Sequence, residues 1–269
     1  MSIKMIATDI DGTILKEDFE FNPAVKACIK ELCERGVKIV LVTGRMHSAT
    51  THVAEELGLD TPIISYQGGM VKEQGENGQI LYSKTLCPDT ACRIINWAKA
   101  NNVHVNLYME DKLYVEPDNA AILRYTAERH ISYNLCEFES VELDNINKIL
   151  AIDFEDADRV TGWINFLQKE FPELYIVKST PYFCEICNIE AHKGYAVEFL
   201  RDYWGLKKEE VLAIGDQDND IELLKAGGIK VAMGNATDAL KACADYITDT
   251  VENDGFVKAI ERFTKDNRF

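Results

Sequence analysis

Asp9 and Asp11 stand two residues apart in Thr8-Asp9-Ile10-Asp11-Gly12-Thr13, which follows Ile3 to Ala7, a stretch that reads as a buried strand. If the backbone stays extended between them, both carboxylates point the same way. Two adjacent anions repel each other unless a cation or a proton sits between them. The spacing suggests a hard-cation site, for which Mg²⁺ is the fitting ion. Asp-x-Asp by itself also occurs in calcium loops, turns and solvated strand ends. A second acidic cluster, Gly215-Asp216-Gln217-Asp218-Asn219-Asp220, follows another apolar run, Val211-Leu212-Ala213-Ile214. Clusters so far apart converge only if their strands are parallel neighbours in one sheet. The carboxyl edge of such a sheet is where open α/β folds place their ligands.

Two further groups suit the same chemistry. Thr43 ends the apolar run Val37 to Val42, and Lys193 opens a helical pattern in His192-Lys193-Gly194. With the two acidic clusters they match the needs of phosphoryl transfer. A phosphomonoester dianion repels a carboxylate nucleophile, so a divalent cation and a lysine must cancel charge. A hydroxyl and backbone N–H groups can hold the phosphoryl oxygens as charge spreads over them. One carboxylate attacks to form an aspartyl-phosphate. A second protonates the departing alcohol and then deprotonates water. Plainer readings stand beside these. Thr43 could cap a helix, Lys193 could be a solvated helix residue, and Asp218 reads as solvated. Arg45 either binds a substrate phosphate or pairs with a local acid.

The elements that must position these groups alternate at both ends of the chain. After the first strand, Asn22-Pro23 reads as a helix N-cap followed by a proline at the first helical position. Val25, Cys28, Ile29 and Leu32 recur at helical spacing, and Gly36 closes the helix. A strand over 37–42, a helix from about Ser48 to Leu57 and a strand over 62–66 complete βαβαβ, which signals a parallel sheet. The alternation returns with a helix over His192 to Tyr203, a strand over 211–214, a helix over Ile221 to Ala226 and a strand over 229–233. A strand at Tyr246-Ile247 and a helix from about Gly255 end it. The middle differs. It holds helical patterns over about 89–101 and 156–170, among strand-like runs at 104–109, 112–116, 134–138, 148–153 and 182–187, with Leu174 to Val177 as a further candidate. The expected fold is α/β: a Rossmann-like parallel-sheet core formed by residues 1–82 and 189–269, with an inserted α+β domain over 83–188.

The motifs Asp9-Ile10-Asp11-Gly12-Thr13, Thr43-Gly44-Arg45, His192-Lys193-Gly194 and Gly215-Asp216-Gln217-Asp218-Asn219-Asp220 together resemble the haloacid dehalogenase (HAD) superfamily. Their order, and the large insertion after the third strand, resemble its Cof-like phosphatases with a class IIB cap. Met233-Gly234-Asn235-Ala236 and Ala244-Asp245-Tyr246-Ile247-Thr248 are also similar to that family. The resemblance implies that Asp9 is the nucleophile and a metal ligand. It implies that Asp11 is the general acid/base and lends its backbone carbonyl to the metal. Thr43, Gly44, Arg45, Lys193 and Asn219 would hold the phosphoryl group, with Lys193 neutralising it. Asp216 would ligate Mg²⁺, and Asn219 and Asp220 would support the metal and Lys193. Gln217 stands where the family often has Asn. Gln67-Gly68-Gly69 stands where it often has Asn-Gly-Ala, which leaves the substrate contacts of that loop open.

Composition narrows the partners. The 269 residues carry 29 Lys+Arg against 45 Asp+Glu, a formal charge of −16. That charge argues against nucleic acid or an anionic membrane as partner. A small phosphorylated metabolite stays compatible, because a metal and a few local cations reverse the potential within one cleft. No apolar run approaches the ~20 residues that span a bilayer, and the start of the chain lacks a signal-peptide pattern. The eight scattered cysteines, with Cys184-Glu185-Ile186-Cys187 read as structural thiols, fit a cytoplasmic, reducing compartment. The leading expectation is a Mg²⁺-dependent phosphatase acting on a small phosphorylated metabolite, with a sugar phosphate as one candidate. The alternatives are a phosphomutase and a catalytically silent phospho-ligand binding protein. The inserted domain is expected to act as a cap that selects the leaving group. Oligomeric state is not legible.

Overall fold

The computed structural model describes residues 2–16, 21–75, 77–116, 118–129, 131–266 and 268–269. The chain divides into two compact units, one made of Met1–Tyr82 and His192–Phe269, the other of Ser83–Ala191. In the first unit, β1 (Met5–Thr8) is followed by α1 (Pro23–Glu34), β2 (Lys38–Leu41) and α2 (Ser48–Glu56). The Asn22 side chain accepts from the Ala24 N–H at 2.9 Å, and Pro23 opens α1 without wasting a donor. Val25, Ile29 and Leu32 form the buried stripe of that helix. The expected third strand is real but does not extend the parallel sheet. β3 (Ile63–Ser65) joins β4 (Met70–Lys72) and β5 (Ile80–Ser83) in a separate three-stranded sheet. It meets β2's continuation through a parallel bridge, Val42 to Ile64, and the Thr43 N–H bond to the Ile64 carbonyl at 2.9 Å. A left-handed turn at Tyr66-Gln67-Gly68 then folds the chain back so that Ser65 pairs with Met70.

The second unit holds α3 (Pro88–Ala100), β6 (His104–Met109), β7 (Lys112–Val115), α4 (Ala120–Arg129), β8 (Asn134–Leu135), β9 (Ile146–Ile152), α5 (Ala157–Glu170), β10 (Leu174–Thr180) and β11 (Phe183–Asn188). Its strands form one sheet in the order β10-β11-β9-β6-β7-β8. Ile94, Ile95, Val160, Ile164 and Leu167 of α3 and α5 pack on Val105, Leu107, Ile149 and Ile186 of the strands. The strand period of two turns Asn106, Tyr108, Lys148 and Glu185 to the other face. There a buried pair forms, with Lys148 Nζ donating to Glu185 Oε2 at 2.9 Å and Ser179 Oγ donating to Glu185 Oε1 at 2.7 Å. Tyr108 donates to Tyr125 of α4 at 2.6 Å. Cys184 and Cys187, three apart on β11, face opposite sides of the sheet, and burial pushes both thiols above their ordinary range. They are packing residues, as their strand setting suggested.

The chain re-enters the first unit with α6 (Lys193–Tyr203), β12 (Val211–Gly215), α7 (Ile221–Ala226), β13 (Ile229–Ala232), α8 (Asp238–Cys243), β14 (Tyr246–Ile247) and α9 (Gly255–Lys265). The main sheet is parallel throughout, in the order β14-β13-β12-β1-β2. β1 lies between β2 and β12, with Thr8 level with Leu41 of β2 and with Ile214 of β12. Apart from Lys38 at the start of β2, every residue of these three strands is buried, and all but Thr8 of those are apolar or glycine, as both-face coverage by helices demands. Their carboxyl ends therefore lie side by side at the point where strand order reverses, and each end carries one of the chemical motifs. Among the described residues, no helix is long and apolar enough to cross a membrane.

Candidate active site

β1 and β12 deliver their acids to the same place. The Asp9 N–H still bonds the Ile214 carbonyl at 3.0 Å, so Asp9 leaves the sheet in register with β12. Gly12 sits at φ +76°, and a Cβ there would collide with the Asp216 carboxylate. The glycine thus serves both the turn and the close approach of the two motifs. Thr13 Oγ1 donates to Asp216 Oδ1 at 3.3 Å, and Gln217 Nε2 donates to Asp216 Oδ2 at 3.1 Å. Asp220 is fully buried. Its Oδ2 accepts the backbone N–H groups of Asp216 at 2.9 Å and Gln217 at 3.1 Å, which closes the loop after β12.

Lys193, the first residue of α6, is 1% exposed. Its Nζ donates to Asp9 Oδ1 and to Asp220 Oδ1, each at 2.6 Å. Burial alone would lower its pKa, but Asp220 and Asp9 outweigh burial and hold the ammonium above the ordinary lysine range. The carboxylates show the converse. Burial raises Asp9 well above the usual carboxylate range; Lys193 opposes this, while Asp220, Asp216 and Asp11 add to it. Burial, then Asp220, lift Asp216 to about 7.

Asp9, Asp216 and Asp220 can each offer one oxygen within 4.8 Å of the others'. Three carboxylates against one ammonium leave two negative charges in a buried space, which protons or a dication must balance. The donors are hard oxygens, so the residues fit an ion of the Mg²⁺ type. Asp220 accepts the Lys193 ammonium on one oxygen and two backbone N–H groups on the other, which makes it the anchor of Lys193 and of its own loop.

The loop after β2 places Thr43 in the interior, 1% exposed, with its Oγ1 accepting the Arg45 N–H at 3.1 Å. Arg45 pairs with a local acid. Its Nε donates to Asp11 Oδ2 at 2.8 Å, and a second guanidinium nitrogen donates to Asp11 Oδ1. Asp11 is half exposed and its carboxylate stands on this arginine, apart from the buried acidic group. Asn219 is buried and donates through Nδ2 to Gln67 Oε1 at 2.9 Å. The structure therefore brings Asp9, Lys193, Asp216 and Asp220 into direct contact, sets Asp11 on Arg45, and ties Asn219 to Gln67. Two neighbours had no assigned role in the sequence. Asn235, after β13, donates through Nδ2 to the Gly12 carbonyl at 2.9 Å, and its Oδ1 accepts the Val251 N–H at 2.9 Å. Gln67 was noted only as a departure from a family pattern. The strand-then-Gly-Asn run at Met233-Gly234-Asn235 was the available signal for the first; nothing in the sequence announced the second.

Known proteins resemble this chain along nearly its whole length. A family profile for haloacid dehalogenase-like hydrolase matches residues 6–260. The chain is 30% identical to the 5-amino-6-(5-phospho-D-ribitylamino)uracil phosphatase YcsE of Bacillus subtilis, over 98% of this chain and 96% of that protein. It is 28% identical to a phosphoglycolate phosphatase of Methanobrevibacter smithii, over 98% of this chain and 99% of that protein. A haloacid dehalogenase-like hydrolase from Bacteroides thetaiotaomicron superposes with a TM-score of 0.85 at 27% identity, covering 97% of this chain and 100% of the other. A Thermotoga maritima crystal structure gives a TM-score of 0.80 at 30% identity, covering 97% of both chains.

Proposed function

The chain belongs to the haloacid dehalogenase-like hydrolases, and from that premise we propose that it is a Mg²⁺-dependent phosphatase working through an aspartyl-phosphate on Asp9. The observation that carries this reading is Lys193 held between Asp9 and Asp220, with Asp216 in the same buried group. A lysine so placed fixes the orientation of the Asp9 carboxylate and leaves positive charge where a phosphate dianion would have to approach it. Asp9 attacks phosphorus with one carboxylate oxygen, the P–O bond to the alcohol breaks, and the phosphoryl group rests on Asp9. Asp11 delivers a proton to the leaving oxygen, then takes one from the water that cleaves the acyl phosphate. To do so it must leave Arg45, so substrate binding and release of that ion pair are coupled. The Thr43 hydroxyl and the backbone N–H groups of its loop serve the phosphoryl oxygens. A Mg²⁺ held by Asp9, Asp216 and the Asp11 backbone carbonyl would supply the charge that lets dianion and carboxylate meet.

The substrate class is a small organic phosphate monoester. Two relatives named above are phosphatases of small phosphorylated metabolites by name. Selectivity among leaving groups is assigned to the second unit, since the residues above treat only the phosphoryl group. A folded version lacking residues 83–191 that ranked substrates as the full chain does would overturn that assignment. The eight free cysteines suit a cytoplasmic setting. The test is phosphate release from an aryl phosphate and from a panel of sugar and acid phosphates. Chelation should abolish release, Mg²⁺ should restore it, and Ca²⁺ should restore little, because a larger ion tolerates bidentate capture of the attacking carboxylate. Full activity after chelation would overturn the metal's role. Isomerisation of a sugar phosphate without phosphate release would assign the chain to the mutases instead.

A further inference from the structure

The turn between β3 and β4 holds the most unusual backbone near the site. Tyr66, Gln67 and Gly68 follow one another at φ +52°, +61° and +99°. L side chains rarely adopt this region, and glycine enters it freely. Gly68 is accounted for by close approach, since a Cβ there would collide with the His192 carbonyl and the Lys193 nitrogen. Gln67 has no such account. A glycine would serve its backbone better, so the use of the residue lies in its side chain.

That side chain joins two loops of the site. Gln67 is 1% exposed, and its Oε1 accepts from Asn219 Nδ2 at 2.9 Å. Its Nε2 faces Gly44, where an added Cβ would collide with it. Neither Gln67 Nε2 nor Asn219 Oδ1 has a hydrogen-bond partner. Buried amides are seldom left so poorly paired. A strained backbone that supports an under-paired buried amide is what a site residue shows when position outranks stability.

We infer that Gln67 is a positioning residue, which wedges against Gly44 and holds Asn219 in place to face the bound phosphoryl group. The inference rests on the proposed reading of the Thr43 and Asn219 loops as the phosphoryl cradle. Gln67 acts through Asn219 and the Gly44 backbone, not on Asp11. Its loss should weaken phosphoryl binding and leave the proton transfers unchanged.

The experiment compares wild type, Gln67→Ala, Gln67→Met, Asn219→Ala and the Gln67→Ala/Asn219→Ala double variant. KM and kcat are measured with an aryl phosphate and Mg²⁺, and binding of inorganic phosphate is followed by calorimetry. Gln67→Ala should raise KM and weaken phosphate binding by about 10- to 100-fold, with a smaller change in kcat. The pH profile of kcat should not move. The double variant should lose no more than the worse single, because both remove one linked unit. Gln67→Met keeps the length and volume without the hydrogen bond. It should restore the melting temperature lost in Gln67→Ala but not the phosphate affinity. Additive losses, or wild-type phosphate affinity in Gln67→Met, would overturn the inference. The calorimetric arm does not need turnover, so an inactive wild type would count against the proposed reaction and still leave this coupling measurable.

Discussion

Asp9→Asn is expected to reduce turnover by at least about a thousandfold while leaving the protein folded and no less stable. Asparagine keeps the shape of the side chain and one oxygen to accept from Lys193, but it is neither charged nor a competent nucleophile. The stability half of the prediction follows from the crowding. Burial raises the Asp9 pKa well above the usual range, and Asp220, Asp216 and Asp11 add to that rise despite Lys193. Removing one charge from the group relieves that repulsion, so the variant should melt at or above the wild-type temperature in metal-free buffer near neutral pH. Rate, circular dichroism and thermal melting should be read on one preparation. Acid quenching during turnover should trap a phosphoryl adduct on the peptide containing Asp9 in wild type and none in the variant. Near-normal rates from Asp9→Asn, with deamidation excluded by mass, would end the covalent mechanism.

The parts of the site that were legible in the sequence share one property: each follows an apolar run directly. Asp9, Thr43 and Asp216 are strand-end residues, and a parallel sheet with β1 between β2 and β12 brings strand ends together whatever the loops do. Lys193 was legible because a helix start is equally well marked. What escaped was set by side-chain reach and by backbone that residue types do not announce. Gln67-Gly68-Gly69 reads as a turn, yet nothing in it says that Tyr66 and Gln67 take left-handed φ, a conformation with a low prior for both. The consequence was that β4, the antiparallel partner of the third strand, went unread. Arg45 had two reasonable partners, and the choice of Asp11 depends on rotamers across two loops. In the second unit, α4 went unread because only Ile122 and Tyr125 of its ten residues are buried, too few for a clear period. The pairing of Lys148 with Glu185 was not legible because the two lie on strands far apart in sequence, and each charge is tolerated in the interior only because the neighbouring strand supplies its counter-charge.

Lys193→Met is expected to fail twice, in catalysis and in stability, and the two failures can be separated. The ammonium is fully buried, 2.6 Å from both Asp9 and Asp220. Removing one partner of such a group leaves buried charge uncompensated, which costs about 3–5 kcal/mol. The carboxylates can escape only by taking up protons, so the loss must depend on pH. In the metal-free wild type, Asp216 already titrates at about 7, against 3.8 for an ordinary aspartate. A carboxyl whose folded pKa is raised contributes stability that is present at low pH and lost as pH rises through the folded value. Metal-free wild type should thus melt progressively lower between about pH 4 and pH 7. Lys193→Met should deepen that decline and carry it to higher pH, because Lys193 lowers the pKa of both Asp9 and Asp216. Mg²⁺ should reverse much of it. Turnover should fall by roughly 10²–10³-fold or more even with Mg²⁺ saturating, since the positive charge that faces the transferring group is gone. Adding Asp220→Asn to Lys193→Met removes the orphaned charge along with the lysine. The double variant should regain most of the lost melting temperature at pH 8 and none of the rate. Recovery of both would mean that Lys193 is only a structural counter-ion. A Lys193→Met protein as stable as wild type at pH 8 without metal would mean that the buried group is not balanced by charge at all.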